Sequence, residues 1–280
     1  MLEMAKKIKI IKNENNTTVE KTEINQNKNT FKKLLDRYNS SQITSKYIFD
    51  LQTLYLLRQS RILDTLNKRY QYDTSLKRGQ EFLLNHINSK ISLVVMYVDL
   101  VDSTEMSRDL PIDKLVTIIR AFTHELSSVI ENYGGFVLKY VGDGIISFFP
   151  SGFNKYLACD KSVQCAKSMI DIIKNGINPI LSKCDYPNLS IKIGIDEGEN
   201  AIVQYGYDKS SLIDIVGYSM NIAAKITALT NTNKISIGED IYKLLHPTIQ
   251  SEFHELTLDT NKWKYTYRNT NKTYKIYTIH

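Results

Sequence analysis

The spacing of apolar positions changes along the chain, and the changes divide it into three predicted regions. Residues 1–30 are polar, rich in Lys, Asn, Glu and Thr, so we expect a disordered tail. Residues 31–88 carry apolar side chains at helical spacing, most clearly between Ile48 and Leu66, which predicts a helical N-terminal region. This region acts either as a structural cap or in regulation and dimerisation. Residues 89–280 show strand-like and helical patterns in alternation and form the third region, the main domain.

The main domain mixes strands, a hairpin and helices. The predicted strands are Ile91–Asp99, Phe136–Val141, Ile145–Phe149, Leu189–Ile195, Ala201–Tyr205, Lys234–Ile237 and an edge strand at Lys272–Ile279. The predicted helices are Leu76–Ile87, Pro111–Ile130, Leu157–Ile173 and Ser219–Leu229. The short turn Gly142-Asp143-Gly144 joins two of the strands into a hairpin. The mixture predicts an α+β fold, in which helices pack on a sheet.

Composition narrows the class of protein without naming a function. Of the 280 residues, 42% are hydrophobic and 24% charged, as in ordinary globular proteins. Three irregularly spaced cysteines are too few for a disulfide framework or a zinc site and indicate reduced thiols. No apolar run approaches the length of about 18 residues that spans a bilayer, and the N-terminus lacks a secretory apolar segment. We therefore expect a cytoplasmic protein without a membrane span.

The charge pattern argues against nucleic acid as a partner. The net charge is +6, but the lysines are spread along the chain and form no basic stripe with interleaved aromatic residues. A mildly basic surface remains compatible with small anionic ligands such as nucleotides.

Two aspartates stand where strands end. Asp99 ends one predicted strand, and Asp143 lies in the hairpin turn. A central strand beside a hairpin would bring the two carboxylates together. Mg²⁺ binds one or two carboxylates together with phosphate oxygens, so the pair is a candidate metal site.

Four segments extend this interpretation. They are Tyr97–Thr104 (YVDLVDST), Gly134–Gly144 (GGFVLKYVGDG), Ile191–Gly198 (IKIGIDEG) and Asp214–Lys225 (DIVGYSMNIAAK). In order and spacing they resemble the motifs of class III nucleotidyl cyclases, the adenylate and guanylate cyclase family. The resemblance covers residues 90–240 approximately. It implies a ferredoxin-like, palm-type cyclase sheet with helices packed on it.

The resemblance assigns a role to each matching residue. Asp99 and Asp143, helped by the carbonyl of Leu100, would hold two Mg²⁺ or Mn²⁺ ions per site. The backbone N–H groups of four residues at a helix start would hold phosphate oxygens. Those four residues are Val101, Asp102, Ser103 and Thr104. Asn221 would orient the ribose, and Lys225 would stabilise the charge of the transition state.

The family builds each site from two subunits, with metal residues from one and base and transition-state residues from the other. This chain carries both sets in one domain, so the resemblance implies an antiparallel homodimer with two shared sites. The reaction would be in-line attack of the ribose 3′ oxygen on the α-phosphorus, with pyrophosphate leaving.

The sequence departs from the family at three places. Lys225 stands where an arginine is usual, and an ammonium group cannot make the planar two-bond contact, so we expect catalysis about 10- to 100-fold weaker. Asp196 and Glu197 replace a His and a small hydroxyl residue, and segment 199–205 is unusual. A catalytically weak nucleotide-binding signalling module therefore remains an alternative.

Lys139 and Asp214 fall where adenylate cyclases place a base-recognising pair. Lysine only donates and an ionised aspartate only accepts, so the pair fits a ring-nitrogen acceptor beside an amino group. Adenine and cytosine present that edge, whereas guanine and uracil present the reverse. We expect ATP to be converted to 3′,5′-cyclic AMP. CTP remains the alternative, because the family includes bacterial pyrimidine cyclases, but cytosine would need a narrower pocket closed by a bulky side chain.

Overall fold

The computed structural model describes residues 58–59, 62–63, 66, 75–206, 211–257, 263–267 and 270–280. The tail predicted over residues 1–30 and most of the helical region predicted over 31–88 lie outside these described residues. Ile62 and Leu66 are helical, as their spacing predicts, and Ile62 is fully buried.

The helices of the described part are α1 (Ser75–Leu84), α2 (Ser103–Asp109), α3 (Ile112–Asn132), α4 (Lys155–Asp171), α5 (Asn178–Lys183), α6 (Tyr218–Leu229), α7 (Glu239–Tyr242) and α8 (Pro247–Gln250). A π-helix, Ile172–Ile177, connects α4 to α5. The strands are β1 (Lys90–Leu100), β2 (Phe136–Val141), β3 (Gly144–Pro150), β4 (Ile191–Gln204), β5 (Ile213–Gly217), β6 (Ile235–Gly238), β7 (Phe253–Glu255) and β8 (Ile276–Ile279).

The described strands form one sheet in the order β2-β3-β1-β4-β6-β8-β7, and β5 pairs with β4 outside this row. All pairings are antiparallel except β4 with β6. Helix α3 connects β1 to β2, and α4 connects β3 to β4. This βαββαβ arrangement confirms the predicted α+β, ferredoxin-like sheet.

Strand β4 corrects one prediction. The chain over 189–205 was expected to form two strands, but 191–204 is one continuous strand, paired with β1 from Leu100 to Lys90. The sequence suggested a break because Asp196, Glu197 and Asn200 are polar. In the structure all three are buried and hydrogen-bonded to other elements, so the polar run does not end the strand.

The C-terminal strand also differs from its prediction. Only Ile276–Ile279 is a strand, and it lies between β6 and β7 instead of at the edge of the sheet. Strand β7 has only three residues, too few for its pattern to be recognised, and it takes the edge. Strand β5 was not predicted as a strand, although its isoleucines alternate with polar or exposed residues.

Apolar contacts fix the elements that carry the candidate residues. Ile213 and Ile215 of β5 share one buried cluster with Val95 of β1 and Phe148 of β3, so the β4–β5 hairpin lies against a face of the sheet. Helix α6 crosses β4 at Gly194, where any larger side chain would overlap Thr227. The close approach requires glycine at this position.

No helix among the described residues is both long and apolar enough to cross a membrane.

Candidate active site

Strands β1 and β3 bring Asp99 next to the hairpin turn that holds Asp143. Val98 pairs with Ile145, so Asp99 lies beside Gly144, where a methyl group would be 3.8 Å from Oδ1 of Asp99. Gly142 adopts a left-handed conformation with φ 61°, which glycine allows without strain and which makes the tight turn possible. The two carboxylates are therefore neighbours, as the sequence predicts for a metal site.

The oxygen atoms of this pair fit a divalent cation. Oδ2 of Asp143 is buried and has no hydrogen-bond partner among the described residues, a costly state for a carboxylate in the absence of a ligand. The described residues contain no cluster of three or more His, Cys, Asp or Glu side chains suited to a metal. Two carboxylates and a carbonyl suffice for Mg²⁺ when phosphate oxygens complete its coordination.

Lys192 contacts the first carboxylate. It lies opposite Asp99 on β4, and its Nζ is 3.0 Å from Oδ2 of Asp99. The Asp99 side chain is 42% exposed, so solvent screens this ion pair and a cation can reach the carboxylate. Lys192 adds a positive charge next to the carboxylate oxygen atoms that would hold a metal ion.

The segment after β1 turns at once into a short helix. Asp102 has φ 58°, which reverses the chain into α2. The N–H of Val101 donates to the carbonyl of Ser190 at 2.9 Å, so it is not available to a phosphate in this conformation. In this conformation the N–H groups of Asp102, Ser103 and Thr104 are the candidate phosphate donors, because a helix start lacks intrahelical partners for them. A role for Val101 in phosphate binding stays a prediction.

Lys139 and Asp214 contact each other directly. Nζ of Lys139 donates to Oδ2 of Asp214 at 2.6 Å, and Oδ1 of Asp214 accepts from the N–H of Ile215 at 2.9 Å. The side chains of Lys139 and Asp214 are 41% and 24% exposed, so the pair is only partly buried. The structure thus brings together the two residues predicted to recognise the base.

Tyr97 lies beside this pair. Tyr97 and Lys139 both pair with Ile146, which places them on the same face of the sheet. The ring of Tyr97 packs against the apolar cluster that contains β5. Burial, and after it the charge of Asp214, raise the pKa of Tyr97 above its ordinary value. A bulky neutral side chain therefore borders the Lys139–Asp214 pair.

Asn221 and Lys225 lie on the exposed face of α6. They occupy positions i and i+4, so they are one helical turn apart and on the same side of the helix. Neither side chain has a hydrogen bond or an ion pair with another residue in the described part of the chain. The structure brings them to one surface and leaves that surface open.

The two acidic residues that depart from the family pattern are internal. Oδ1 of Asp196 accepts from the hydroxyl of Tyr274 at 2.7 Å, and burial raises the pKa of Asp196 well above its usual value. Oε1 of Glu197 accepts from Ser151 and Lys155, each at 3.0 Å. Both residues therefore belong to the interior of the fold.

Sequence reasoning assigned no role to Tyr97 or Lys192. Both lie inside segments that resemble family motifs, so their residue types were visible. Their relevance depends on strand register, which places Lys192 opposite Asp99 and Tyr97 level with Lys139. A correct pairing of β1 with β3 and β4 could have revealed both.

The βαββαβ sheet, with one carboxylate at the end of its central strand and another in the adjacent hairpin turn, places the chain in a class of α+β proteins whose site could hold a divalent cation and phosphate oxygens. Within that class, the model of the adenylate and guanylate cyclase catalytic domain matches residues 86–279. The chain belongs to this family of class III nucleotidyl cyclases.

Known relatives share the fold at low identity. A cytidylate cyclase of Escherichia coli is 25% identical over 166 residues, which cover 56% of this chain and 36% of that protein. A uridylate cyclase of Rhodovulum sp. (strain MB263) is 28% identical over 147 residues, which cover 50% of this chain and 59% of that protein. The crystal structure of the adenylyl cyclase CyaB from P. aeruginosa superimposes with a TM-score of 0.58 at 21% sequence identity. The superposition covers 69% of this chain and 95% of that one. The chain thus spans 36% and 59% of the length of these two curated relatives.

Proposed function

We propose that the protein converts a nucleoside triphosphate with an amino-bearing base into its 3′,5′-cyclic monophosphate and pyrophosphate, with CTP ahead of ATP. The observation that carries this proposal is the Lys139–Asp214 contact bordered by Tyr97. Lys139 would donate to N3 of cytosine and Asp214 would accept from its amino group. With guanine or uracil, Lys139 would face a ring N–H donor and Asp214 would face a carbonyl acceptor. A pocket built from polar groups rejects such a mismatched base strongly.

The choice between cytosine and adenine depends on the depth of the pocket. Both bases present the same pair of groups, so Lys139 and Asp214 cannot separate them. Tyr97 supplies the bulky side chain that a pocket for the smaller base requires. The similarity to known proteins does not choose between the bases, because the matched relatives include cytidylate, uridylate and adenylate cyclases. ATP, which the sequence favoured, is the second candidate because adenine presents the same hydrogen-bonding edge.

Asp99, Asp143 and the carbonyl of Leu100 would hold two Mg²⁺ or Mn²⁺ ions. When bound, such ions lower the pKa of the attacking hydroxyl and neutralise the triphosphate. Lys192 and the N–H groups of Asp102, Ser103 and Thr104 would hold phosphate oxygens near these carboxylates.

The chemical step is a displacement at phosphorus. A bond forms between the ribose 3′ oxygen and the α-phosphorus, and the bond from the α-phosphorus to the oxygen that bridges to the β-phosphate breaks. Pyrophosphate leaves, and the hydroxyl proton passes to solvent. Asn221 would orient the ribose for in-line attack, and Lys225 would face the charge that develops on the α-phosphate.

Two copies of the chain would complete each site. Asn221 and Lys225 lie on an exposed helix face and form no hydrogen bond or ion pair with Asp99 or Asp143 among the described residues. An antiparallel homodimer would place them over the carboxylates of the other copy and build two equivalent sites, because a two-fold interface repeats every contact.

A subunit-mixing experiment tests the cyclase function and the shared site together. Asp143→Ala and Asn221→Ala variants, each inactive alone, are mixed under conditions in which subunits exchange. Half of the dimers then carry one intact site, so we expect about a quarter of wild-type activity. The matched control mixes Asp143→Ala with Asp99→Ala, which damage the same half of the site and should give no recovery. Absence of recovery in the first mixture, or equal recovery in both, contradicts the shared site.

A further inference from the structure

Helix α1 contacts both strands that carry the base-recognising pair. The side-chain amide of Gln80 makes two hydrogen bonds to the backbone of Ile213, the residue before Asp214. Nε2 donates to the carbonyl of Ile213 at 3.1 Å, and Oε1 accepts from its N–H at 3.3 Å. The amide therefore binds both backbone groups of one residue.

This contact supplies what a neighbouring strand would supply. Among the described residues β5 pairs only with β4, so its outer edge has no strand beside it. An unpaired edge is free to move and must find other partners for its N–H and C=O groups. Gln80 satisfies these groups at Ile213 and so fixes the backbone that leads into Asp214.

The residue before Gln80 contacts the other strand. Any side chain at Gly79 would overlap the carbonyl oxygen of Val137 in β2, so α1 lies directly on that backbone. At this point β2 carries a bulge, because Val137 pairs with Ser147 but Lys139 pairs with the adjacent Ile146. A bulge changes the direction of the next side chain, which here is that of Lys139.

Aromatic contacts hold α1 in this place. The ring of Phe82 lies 4.8 Å from that of Phe136 and 5.6 Å from that of Phe148. The helix is therefore anchored to β2 and β3, and it spans the distance from there to β5.

We propose that Gly79 and Gln80 position the Lys139–Asp214 pair and thereby determine how strictly the enzyme selects its base. Gly79 allows α1 to pack directly against the bulge before Lys139. Gln80 forms hydrogen bonds from the same helix to Ile213, the residue before Asp214. The separation between the two recognising side chains is then set by α1. This inference rests on the proposed function of the pair.

The test compares Gln80→Met with Lys77→Met, each in the full chain. Methionine keeps the length of Gln80 and its preference for helix, and it removes both hydrogen bonds. Lys77 is on the same helix but exposed, with its Nζ 3.7 Å from Glu81. Steady-state constants are measured with CTP, ATP, UTP and GTP. Binding of the four 3′-deoxynucleoside triphosphates, which cannot cyclise, is measured by calorimetry, and thermal unfolding gives the folded fraction.

We expect Gln80→Met to lower the preference for CTP over UTP about tenfold, mainly through KM, with the same change in the binding ratio. Lys77→Met should leave both ratios unchanged.

A fall in the rate with all nucleotides at a constant ratio would mean a purely structural role and would overturn the inference. A Gln80→Met enzyme with unchanged constants would also overturn it. If Gln80→Met does not fold, Gln80→Glu, which keeps the acceptor for the N–H of Ile213 and loses the donor to its carbonyl, provides the second comparison. A wild type that discriminates in binding but does not cyclise contradicts the proposed function alone. A wild type that binds all four nucleotides equally overturns the inference.

Discussion

Two pairs of acidic residues lie in this sheet, and they differ in how fully the chain satisfies them. Asp99 and Asp143 stand at strand ends, partly exposed, and Oδ2 of Asp143 has no partner among the described residues. Asp196 and Glu197 lie in the middle of β4, buried, with hydrogen bonds from hydroxyl groups. The first pair is available to a ligand, whereas the oxygen atoms of the second pair accept hydrogen bonds from side chains within the fold. Substitutions in the first pair should therefore reduce activity, and substitutions in the second should change stability.

The largest effect is expected at the strand ends. Asp99→Ala or Asp143→Ala should reduce cyclase turnover at least 100-fold, because each removes an oxygen ligand of the metal ions that would stabilise most of the charge. Asp109→Ala, which removes an exposed aspartate paired with Arg108, is the control and should retain wild-type activity. Retention of more than about a tenth of the rate by either site variant would contradict the metal assignment.

Lys225 extends the comparison to the open face of α6. Lys225→Ala should lower kcat about 10- to 100-fold, because it removes the positive charge that we propose faces the α-phosphate. Lys225→Arg should hold or raise kcat, since a guanidinium binds two phosphate oxygens at once. Lys161→Ala, an exposed lysine of α4, serves as the control. A Lys225→Ala enzyme with unchanged kcat would exclude a role in the transition state.

Tyr97 tests the boundary of the base pocket. Tyr97→Ala should shift the ratio of kcat/KM values for CTP and ATP about tenfold toward ATP, because the shortened side chain makes room for the larger base. Tyr97→Phe keeps the ring and should preserve the ratio. An equal shift in both variants would assign the effect to the hydroxyl group and remove the steric explanation.

The smallest effect concerns the buried acid. Burial raises the pKa of Asp196 in the folded protein, so its contribution to stability is fully present below the pKa of about 3.9 in the unfolded chain. It is lost as the pH rises from there through the folded pKa. Asp196→Asn keeps an acceptor for Tyr274 and removes the charge. Its unfolding temperature should match the wild type at pH 4 and exceed it by about 3 °C at pH 8. A difference independent of pH would contradict this explanation.

Sequence patterns predicted the elements whose signals are local. The buried run of β1, the hairpin of β2 and β3 and the helix α6 all agree with their predicted ranges within three residues. Strand β4 was divided wrongly because its polar residues find partners far along the chain, such as Tyr274 for Asp196. Pattern alone cannot show such partners.

The features of the candidate site also fall into those that the sequence predicted and those that depend on distant contacts. From the motif positions we predicted that Asp99 lies near Asp143 and that Lys139 and Asp214 act as a pair. In the structure Asp99 lies beside the hairpin turn that holds Asp143, and Lys139 contacts Asp214. The contribution of Gln80 depends on how the β4–β5 hairpin lies on the sheet, and the engagement of the Val101 N–H depends on the loop before β4. Both follow from tertiary contacts that no spacing in the sequence encodes.

The most direct measurement is a cyclisation assay with the purified protein. Mn²⁺ and each of the four nucleoside triphosphates are supplied separately, and the 3′,5′-cyclic product is identified by mass spectrometry. We expect cyclic CMP as the main product, cyclic AMP at a lower rate, and neither cyclic GMP nor cyclic UMP above background. Cyclic GMP or cyclic UMP as the main product would contradict base recognition by Lys139 and Asp214, and no cyclic product from any nucleotide would contradict the cyclase function itself.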